Sequence, residues 1–355
     1  MSSIEGDSTE SDLESDEYET DEVETSGVDD STSVETPGDD SDLKSKPKDG
    51  GAYRAPEFEY DDVLFNPGHR ACAGCGPALA MRFITEVTGE NTIVSMATGC
   101  MEVVSSPFPE SAWDIGWIHN VFANAAGVAS GIEAAYRAFD EKGYEEFTDH
   151  DDVNFVAIGG DGATFDIGIR SLSGMMERGH DVLYIAYDNE AYMNTGIQRS
   201  SATPLGASTS TSPAGSESYG NDTTKKNMPA IAADHGCSYV ATASIAYPLD
   251  LKTKIERALE HDGAKYIQIS APCMLGWQFP TEKTIEVSRL SVETGMQPLY
   301  EMVHGELTDV YTIHDRKPVR EYLEMQGRFK HLDDEMMAEI QAFIDEQAEE
   351  LGLDG

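Results

Sequence analysis

Two sets of residues in this 355-residue chain have types and spacings that could do chemistry. The first is thiols. Cys72 and Cys75 form a Cys-x-x-Cys whose glycines, Gly74 and Gly76, let the backbone fold around a metal or cluster; Cys100 follows after Thr98-Gly99, and Cys237 lies between Gly236 and Ser238. Four thiolates suit structural zinc and an iron–sulfur cluster about equally, Cys72 and Cys75 alone would suit a redox dithiol, and inert buried thiols are the bland alternative. The fifth cysteine, Cys273, stands alone after Ala271-Pro272 and reads as a core thiol. An odd total of five argues against a disulfide framework.

The second set is Gly159-Gly160-Asp161-Gly162 and, 28 residues after the aspartate, Asn189 in Tyr187-Asp188-Asn189. A Gly-Asp-Gly turn alone is ordinary. Here it ends one β-rich run and Asn189 ends the next, so one βα unit brings both side chains to the same sheet edge, where they can meet on a hard cation. Mg²⁺ would take those oxygens and complete its octahedron with phosphate. Gly160 and Gly162 allow close backbone approach to a diphosphate, and the following helix adds its N-terminal dipole. The pattern signals thiamine diphosphate.

Elements to hold these residues are legible around them. Candidate strands are Thr92–Ala97, Val153–Ile158, Val182–Tyr187, Tyr239–Ala243 and Tyr266–Ser270. Candidate helices are Pro77–Thr88, His119–Phe139, Ile167–Arg178 and Leu249–His261. Alternation of strand and helix predicts an α/β fold, a mainly parallel sheet with helices on both faces. Residues 196–229, rich in Ser, Thr, Pro and Gly, read as a disordered insertion or a long loop serving as lid or interface arm. We divide the chain into an acidic, disordered extension at 1–50, a cofactor-binding domain at 51–314, and a helical tail at 315–355 whose Met336, Ile340, Phe343 and Ile344 share a face.

Charge narrows the partners. Sixty-six acidic against 24 basic residues give a net charge of −42, which removes any counterion-release reason to bind nucleic acid. Even without residues 1–50 the net is −27, and only 12 residues are lysine. The composition suits very high salt, where the Debye length is about 3 Å or less and carboxylates keep the surface hydrated, as in a halophilic archaeon. No run of about 18 apolar residues is present. We expect a cytoplasmic protein.

In combination, Gly68–Gly76, Thr98–Glu102, Ile118–Asn120, Gly160–Ala163, Asp188–Gly196, Gly236-Cys237 and Ala271–Cys273 resemble the β subunit of 2-oxoacid:ferredoxin oxidoreductases, most closely the pyruvate type, over roughly residues 60–310. The resemblance implies a thiamine-diphosphate-binding fold with a [4Fe–4S] cluster on Cys72, Cys75, Cys100 and Cys237. It implies Mg²⁺ on Asp161, Asn189 and the carbonyl of Ala191. Thr98, Gly99, Cys100, Met101, His119, Gly162, Ala163, Met193 and Asn194 would contact the cofactor, with Asn194 near the substrate carboxylate and His119 as a second catalytic candidate. Glu102 is more readily structural than a base. The implied reaction is CoA-dependent oxidative decarboxylation of pyruvate to acetyl-CoA and CO2, with electrons leaving through the cluster to ferredoxin. An obligate α subunit would supply the thiamine-activating Glu. A non-redox thiamine decarboxylase and a metal-holding scaffold are the competing classes. Pyruvate is favoured over 2-oxoglutarate because Met101, Ala163, Phe165, Tyr192 and Met193 offer an apolar pocket, with no Lys or Arg nearer than Arg170 and Arg199.

Overall fold

The computed structural model describes residues 63–107, 109–144 and 153–354; the acidic extension 1–50 lies outside them. The chain runs α1 (Gly76–Thr88), β1 (Thr92–Ala97), α2 (Cys100–Ser105), β2 (Gly116–Asn120), α3 (Ala125–Glu141), β3 (Asn154–Gly160), α4 (Ile169–Glu177) and β4 (Leu183–Asp188). A two-residue pair follows, β5 (Ala214–Gly215) and β6 (Ser218–Tyr219), then α5 (Met228–Asp234), β7 (Tyr239–Ser244), α6 (Pro248–Leu259), β8 (Lys265–Ser270) and α7 (Met274–Trp277). The last elements are α8 (Thr284–Glu293), β9 (Tyr300–Val303), β10 (Glu306–Val310), α9 (Val319–Glu324) and α10 (Asp334–Leu351).

Among the described residues the main sheet has eight strands in the order β10-β9-β7-β8-β4-β3-β1-β2. Pairings from β7 across to β2 are parallel; β9 joins β7 antiparallel, and β10 returns beside it. Strands buried on both faces read as continuous apolar runs, and their alternate residues feed two cores. Val94, Met96, Val156, Ile158, Ile185, Ile267 and Ile269 pack with Met81 and Ile84 of α1 and Leu251 and Ile255 of α6. Phe155, Ala157, Tyr184, Ala186 and Tyr266 pack on the other face with Ala126 and Ala129 of α3, Leu172 and Met176 of α4 and Ala232 of α5. The small residues of α3 let its backbone approach the sheet closely. Helices therefore cover both faces, as the alternation required.

The predicted helix from His119 is corrected. His119 lies in edge strand β2, paired with Met96, and α3 begins only at Ala125. Asn120 Nδ2 donates to Ser95 Oγ at 2.7 Å, and that hydroxyl donates to Ala125 O at 2.7 Å, so the strand end and the helix start are fixed separately. Val121, placed on the helix face by periodicity, is 70% exposed.

Residues 196–229 are folded rather than a disordered insertion. Ala202, Ala207 and Met228 are fully buried. Asn221 ties the segment together, donating from Nδ2 to Thr203 O at 2.8 Å and to Thr223 O at 2.7 Å. The tail packs too: Ile340 and Ile344 of α10 join Val319, Leu323 and Phe329 around Trp277, while Phe343 stays exposed.

Candidate functional site

Because β1, β3, β4 and β8 run parallel, their carboxyl ends share one edge, and there the candidate residues gather. Asp161 follows β3, Asn189 follows β4, Thr98 and Cys100 follow β1, and Cys273 follows β8. A cavity at this edge is lined by Thr98, Gly99, Cys100, Asp161, Gly162, Ala163, Asn189, Ala191, Met193 and Asn194, with Phe122, Tyr187 and Tyr192 closing its walls. Met101 is not brought there; it is fully buried in the core on the α1 face. Phe165 is likewise fully buried, on the other face.

The metal reading rests on three oxygens. The side-chain oxygen of Asn189 faces only acceptors, lying 2.9 Å from both Asp161 Oδ1 and Ala191 O. Turning the amide would make it a donor to both. A cation shared by the three oxygens would account for the same contacts, because ligands about 2.1 Å from an octahedral Mg²⁺ sit about 3.0 Å apart along an edge. Asp161 is 1% exposed, and burial, reinforced by nearby Asp188, pushes its carboxyl well above the usual carboxylate range. Such a group needs a cation to stay ionised. Ser200, from the 196–229 segment, donates to Asp161 Oδ2, and Oδ1 faces the Asn189 side chain. Gly162 is required by crowding: a Cβ there would stand 2.3 Å from the Tyr192 ring. Tyr192 is held in place by its hydroxyl, which donates to Asp166 Oδ2 at 3.0 Å.

The cysteines divide differently from the sequence reading. Cys72, Cys75, Cys100 and Cys273 belong to one electrostatic neighbourhood. Burial raises Cys75 to about 11 and Cys100 to about 12, and both are raised further by Cys273 and Cys72; Cys273 is raised by burial and by Cys72. Gly76 N donates to Pro272 O at 3.3 Å, docking the Cys-x-x-Cys loop on the Ala271-Pro272-Cys273 segment. Gly74, at φ +76°, turns against Thr281, whose carbonyl would lie 2.4 Å from a Cβ there. Cys237 is corrected out of the set. It is 1% exposed in the core on the α3 face and precedes β7, at the amino edge of the sheet. Parallel strands of six residues, about 20 Å long, separate the two edges. Among the described residues no group of three or more His, Cys, Asp or Glu forms a ready metal cage. The thiols fit a cluster by chemistry and by their common edge, and binding must displace their protons.

His119 reaches the cavity through Thr98. Thr98 Oγ1 donates to Asn120 O at 2.8 Å, so its contact with His119 Nε2 at 2.7 Å must be donated by the imidazole. The other ring nitrogen, Nδ1, then faces Glu102 Oε1 at 3.7 Å, and Glu102 is steadied by Ser106 Oγ at 2.9 Å. Asn194 is exposed at the cavity mouth. Arg199, the nearest arginine by sequence, is engaged by Asn221 Oδ1 at 3.2 Å and by Thr223 Oγ1. Among the described residues no Lys or Arg lines the cavity.

Sequence reasoning missed Cys273, Ser200 and the buried groups behind the Asn189 turn. Cys273 carried a usable signal: it follows a strand closely, as Cys100 does. Ser200 carried none within its low-complexity surroundings.

Fold and site together define a thiamine-diphosphate-binding α/β domain, and residues 97–269 match the thiamine pyrophosphate enzyme C-terminal TPP-binding domain. Among relatives, the pyruvate synthase subunit PorB of Methanocaldococcus jannaschii is 56% identical over 84% of this chain and 98% of its own length. The PorB of Methanothermobacter thermautotrophicus strain Delta H is 53% identical, over 84% of this chain and all of its own. The chain belongs to the family of 2-oxoacid:ferredoxin oxidoreductase β subunits, pyruvate type. No helix among the described residues is long and apolar enough to cross a membrane.

Proposed function

We propose that this chain is the thiamine- and cluster-bearing subunit of a CoA-acylating pyruvate:ferredoxin oxidoreductase, active only with its α subunit, in a cytoplasm of high salt. The net reaction converts pyruvate and coenzyme A to acetyl-CoA, CO2 and a proton, and delivers two electrons singly to ferredoxin. When bound, thiamine diphosphate supplies the carbon nucleophile and electron sink, and a [4Fe–4S] cluster supplies the one-electron acceptor.

Each residue has a part. Asp161, Asn189 and the Ala191 carbonyl would hold Mg²⁺ against the diphosphate, with Ser200 fixing the rotamer of Asp161. Gly162 and Ala163 keep the approach open. Met193 lines the wall where a bent cofactor would rest, and Asn194 orients the substrate carboxylate. His119 donates from Nε2 to Thr98 Oγ1 beside the cavity, with Nδ1 turned toward Glu102. Cys72, Cys75, Cys100 and Cys273 would ligate the cluster. Met193, Ala163 and the Phe122 and Tyr192 rings leave an apolar space for a methyl group and, among the described residues, no cation for a second carboxylate, which favours pyruvate over 2-oxoglutarate.

The observation that carries the reading is the convergence of the three oxygens at 2.9 Å on the same sheet edge as four thiols. The test is anaerobic purification with native partners, assay of iron, sulfide and thiamine, and CoA-dependent reduction of ferredoxin by pyruvate. A complex that binds thiamine diphosphate but carries no iron would favour a non-redox decarboxylase. Failure to bind thiamine diphosphate with Mg²⁺ would leave only a scaffold.

A further inference from the structure

Behind the Asn189 turn lies a set of four charges, three of them buried and Lys225 half-buried, that the mechanism above does not use. Asp188 and Glu190 flank Asn189, and each is 1% exposed. Lys225 Nζ bonds both, Asp188 Oδ2 at 2.5 Å and Glu190 Oε1 at 3.1 Å. Arg328, 2% exposed, donates from Nη2 to Glu190 Oε2 at 2.6 Å. The set is neutral and each acid is further satisfied: Gln297 Nε2 donates to Glu190 Oε1 at 2.6 Å, and Gln268 Nε2 to Asp188 Oδ2 at 2.9 Å.

The backbone at this point shows what such an investment does. Glu190 sits at φ +69°, a left-handed conformation that costs a non-glycine residue energy unless its surroundings enforce it. Both of its backbone groups are pinned: its N–H donates to Asp188 Oδ1 at 3.0 Å, and its carbonyl accepts from Thr203 Oγ1 at 2.7 Å. Its neighbours on either side, Asn189 and Ala191, supply two of the three converging oxygens. Arg328 reaches the turn by a second route. Its guanidinium lies 4.0 Å from the ring centroid of Trp277, and Trp277 Nε1 donates to Asn189 O at 2.7 Å.

We propose that Lys225 and Arg328 are positioning residues for the metal. They draw the Glu190 side chain inward, hold its backbone left-handed, and so aim the Asn189 amide and the Ala191 carbonyl at one point. This inference rests on the magnesium reading given above. It assigns a task to the tail, which reaches the site through Arg328, and to the 196–229 segment, which contributes Lys225. Arginine suits its place because one planar group both pairs with a carboxylate and stacks on an indole.

The test is a Mn²⁺ titration followed by electron paramagnetic resonance, with thiamine diphosphate present, on the anaerobically prepared complex with its native partner. Thermal unfolding is recorded on the same samples. The unaltered complex should bind Mn²⁺ at one site in a thiamine-diphosphate-dependent way. Arg328→Gln should weaken that binding about ten- to a hundredfold, the range typical of residues that orient metal ligands. The double variant Glu190→Gln with Arg328→Gln, which restores charge balance, should recover part of the loss. If Arg328→Gln does not fold, Arg328→Lys keeps the charge but loses the planar fork, and it should also bind Mn²⁺ more weakly. Unchanged affinity in whichever variant folds, even with lowered thermal stability, overturns the positioning role and leaves a purely structural one. An unaltered complex that binds no Mn²⁺ overturns the magnesium reading itself, and this inference with it.

Discussion

Cys237 and Cys273 can be told apart by substitution. Strands β7 and β8 pair from Tyr239↔Lys265 to Ser244↔Ser270. Cys237 precedes the first pair and Cys273 follows the last, so the five residue steps between those pairs, at about 3.3 Å each, already separate them by about 16 Å. Metal–thiolate bonds are only about 2.3 Å, and one small cluster cannot span that gap. Cys237→Ala should therefore leave iron and sulfide content at the wild-type level. Its cost is a small vacancy in the core on the α3 face, about 1 kcal/mol and about 2 °C in melting temperature for a domain of this size. Cys273→Ala should strip most of the iron while the apolar core stays intact. Both variants are to be made with the partner subunit under anaerobic conditions. Iron and acid-labile sulfide are then quantified per chain, and the dithionite-reduced cluster signal is recorded. Iron lost from Cys237→Ala and retained in Cys273→Ala would refute the edge argument.

Asp161→Asn removes the one carboxylate among the protein groups of the proposed Mg²⁺ site; Mg²⁺-dependent binding of thiamine diphosphate should weaken beyond the roughly 10- to 100-fold typical of outer-shell changes, as calorimetry would show. Gly162→Ala drives a methyl into the Tyr192 ring and should cost about 1–3 kcal/mol of stability together with cofactor affinity, measured by thermal unfolding with and without cofactor. In the reconstituted complex kcat/KM should favour pyruvate over 2-oxoglutarate by more than tenfold, about 1.4 kcal/mol in transition-state binding; the reverse preference would show that a cation reaches the cavity from elsewhere. Unfolding followed against KCl should show a steep gain in stability between about 0.1 M and 1 M, as the Debye length falls from about 10 Å to about 3 Å. A fold fully stable in dilute buffer would remove the case for salt adaptation.

The parallel strands were legible because they are buried on both faces and leave unbroken β-branched runs; Thr92–Ala97 is recovered to the residue. Edge elements were not. Strand β2 is mostly exposed and shows no alternation. The β9–β10 hairpin lacks a long apolar run, although its turn, His304-Gly305, with both residues at positive φ, is a recognisable hairpin signal. The convergence of Asp161 and Asn189 was readable because strand ends fix their positions from local spacing. Cys237 misled because a thiol beside a strand says nothing about which end it occupies until chain direction is considered. Lys225 and Arg328 could not be paired with Glu190 from sequence, since nothing local links charges so far apart.

That separation has a consequence for how the protein is made. Glu190 and Arg328 are 138 residues apart. At ribosomal speeds of about 5–20 residues per second, the Glu190 turn exists for roughly 7–28 s before its arginine is synthesised. During that interval the left-handed turn at Glu190 rests on Asp188, Thr203 and, once it is made, Lys225, without Arg328. A chain broken off before residue 328 would lack the guanidinium that pairs with Glu190 and stacks on Trp277, so under the positioning proposal it would hold the metal about ten- to a hundredfold more weakly.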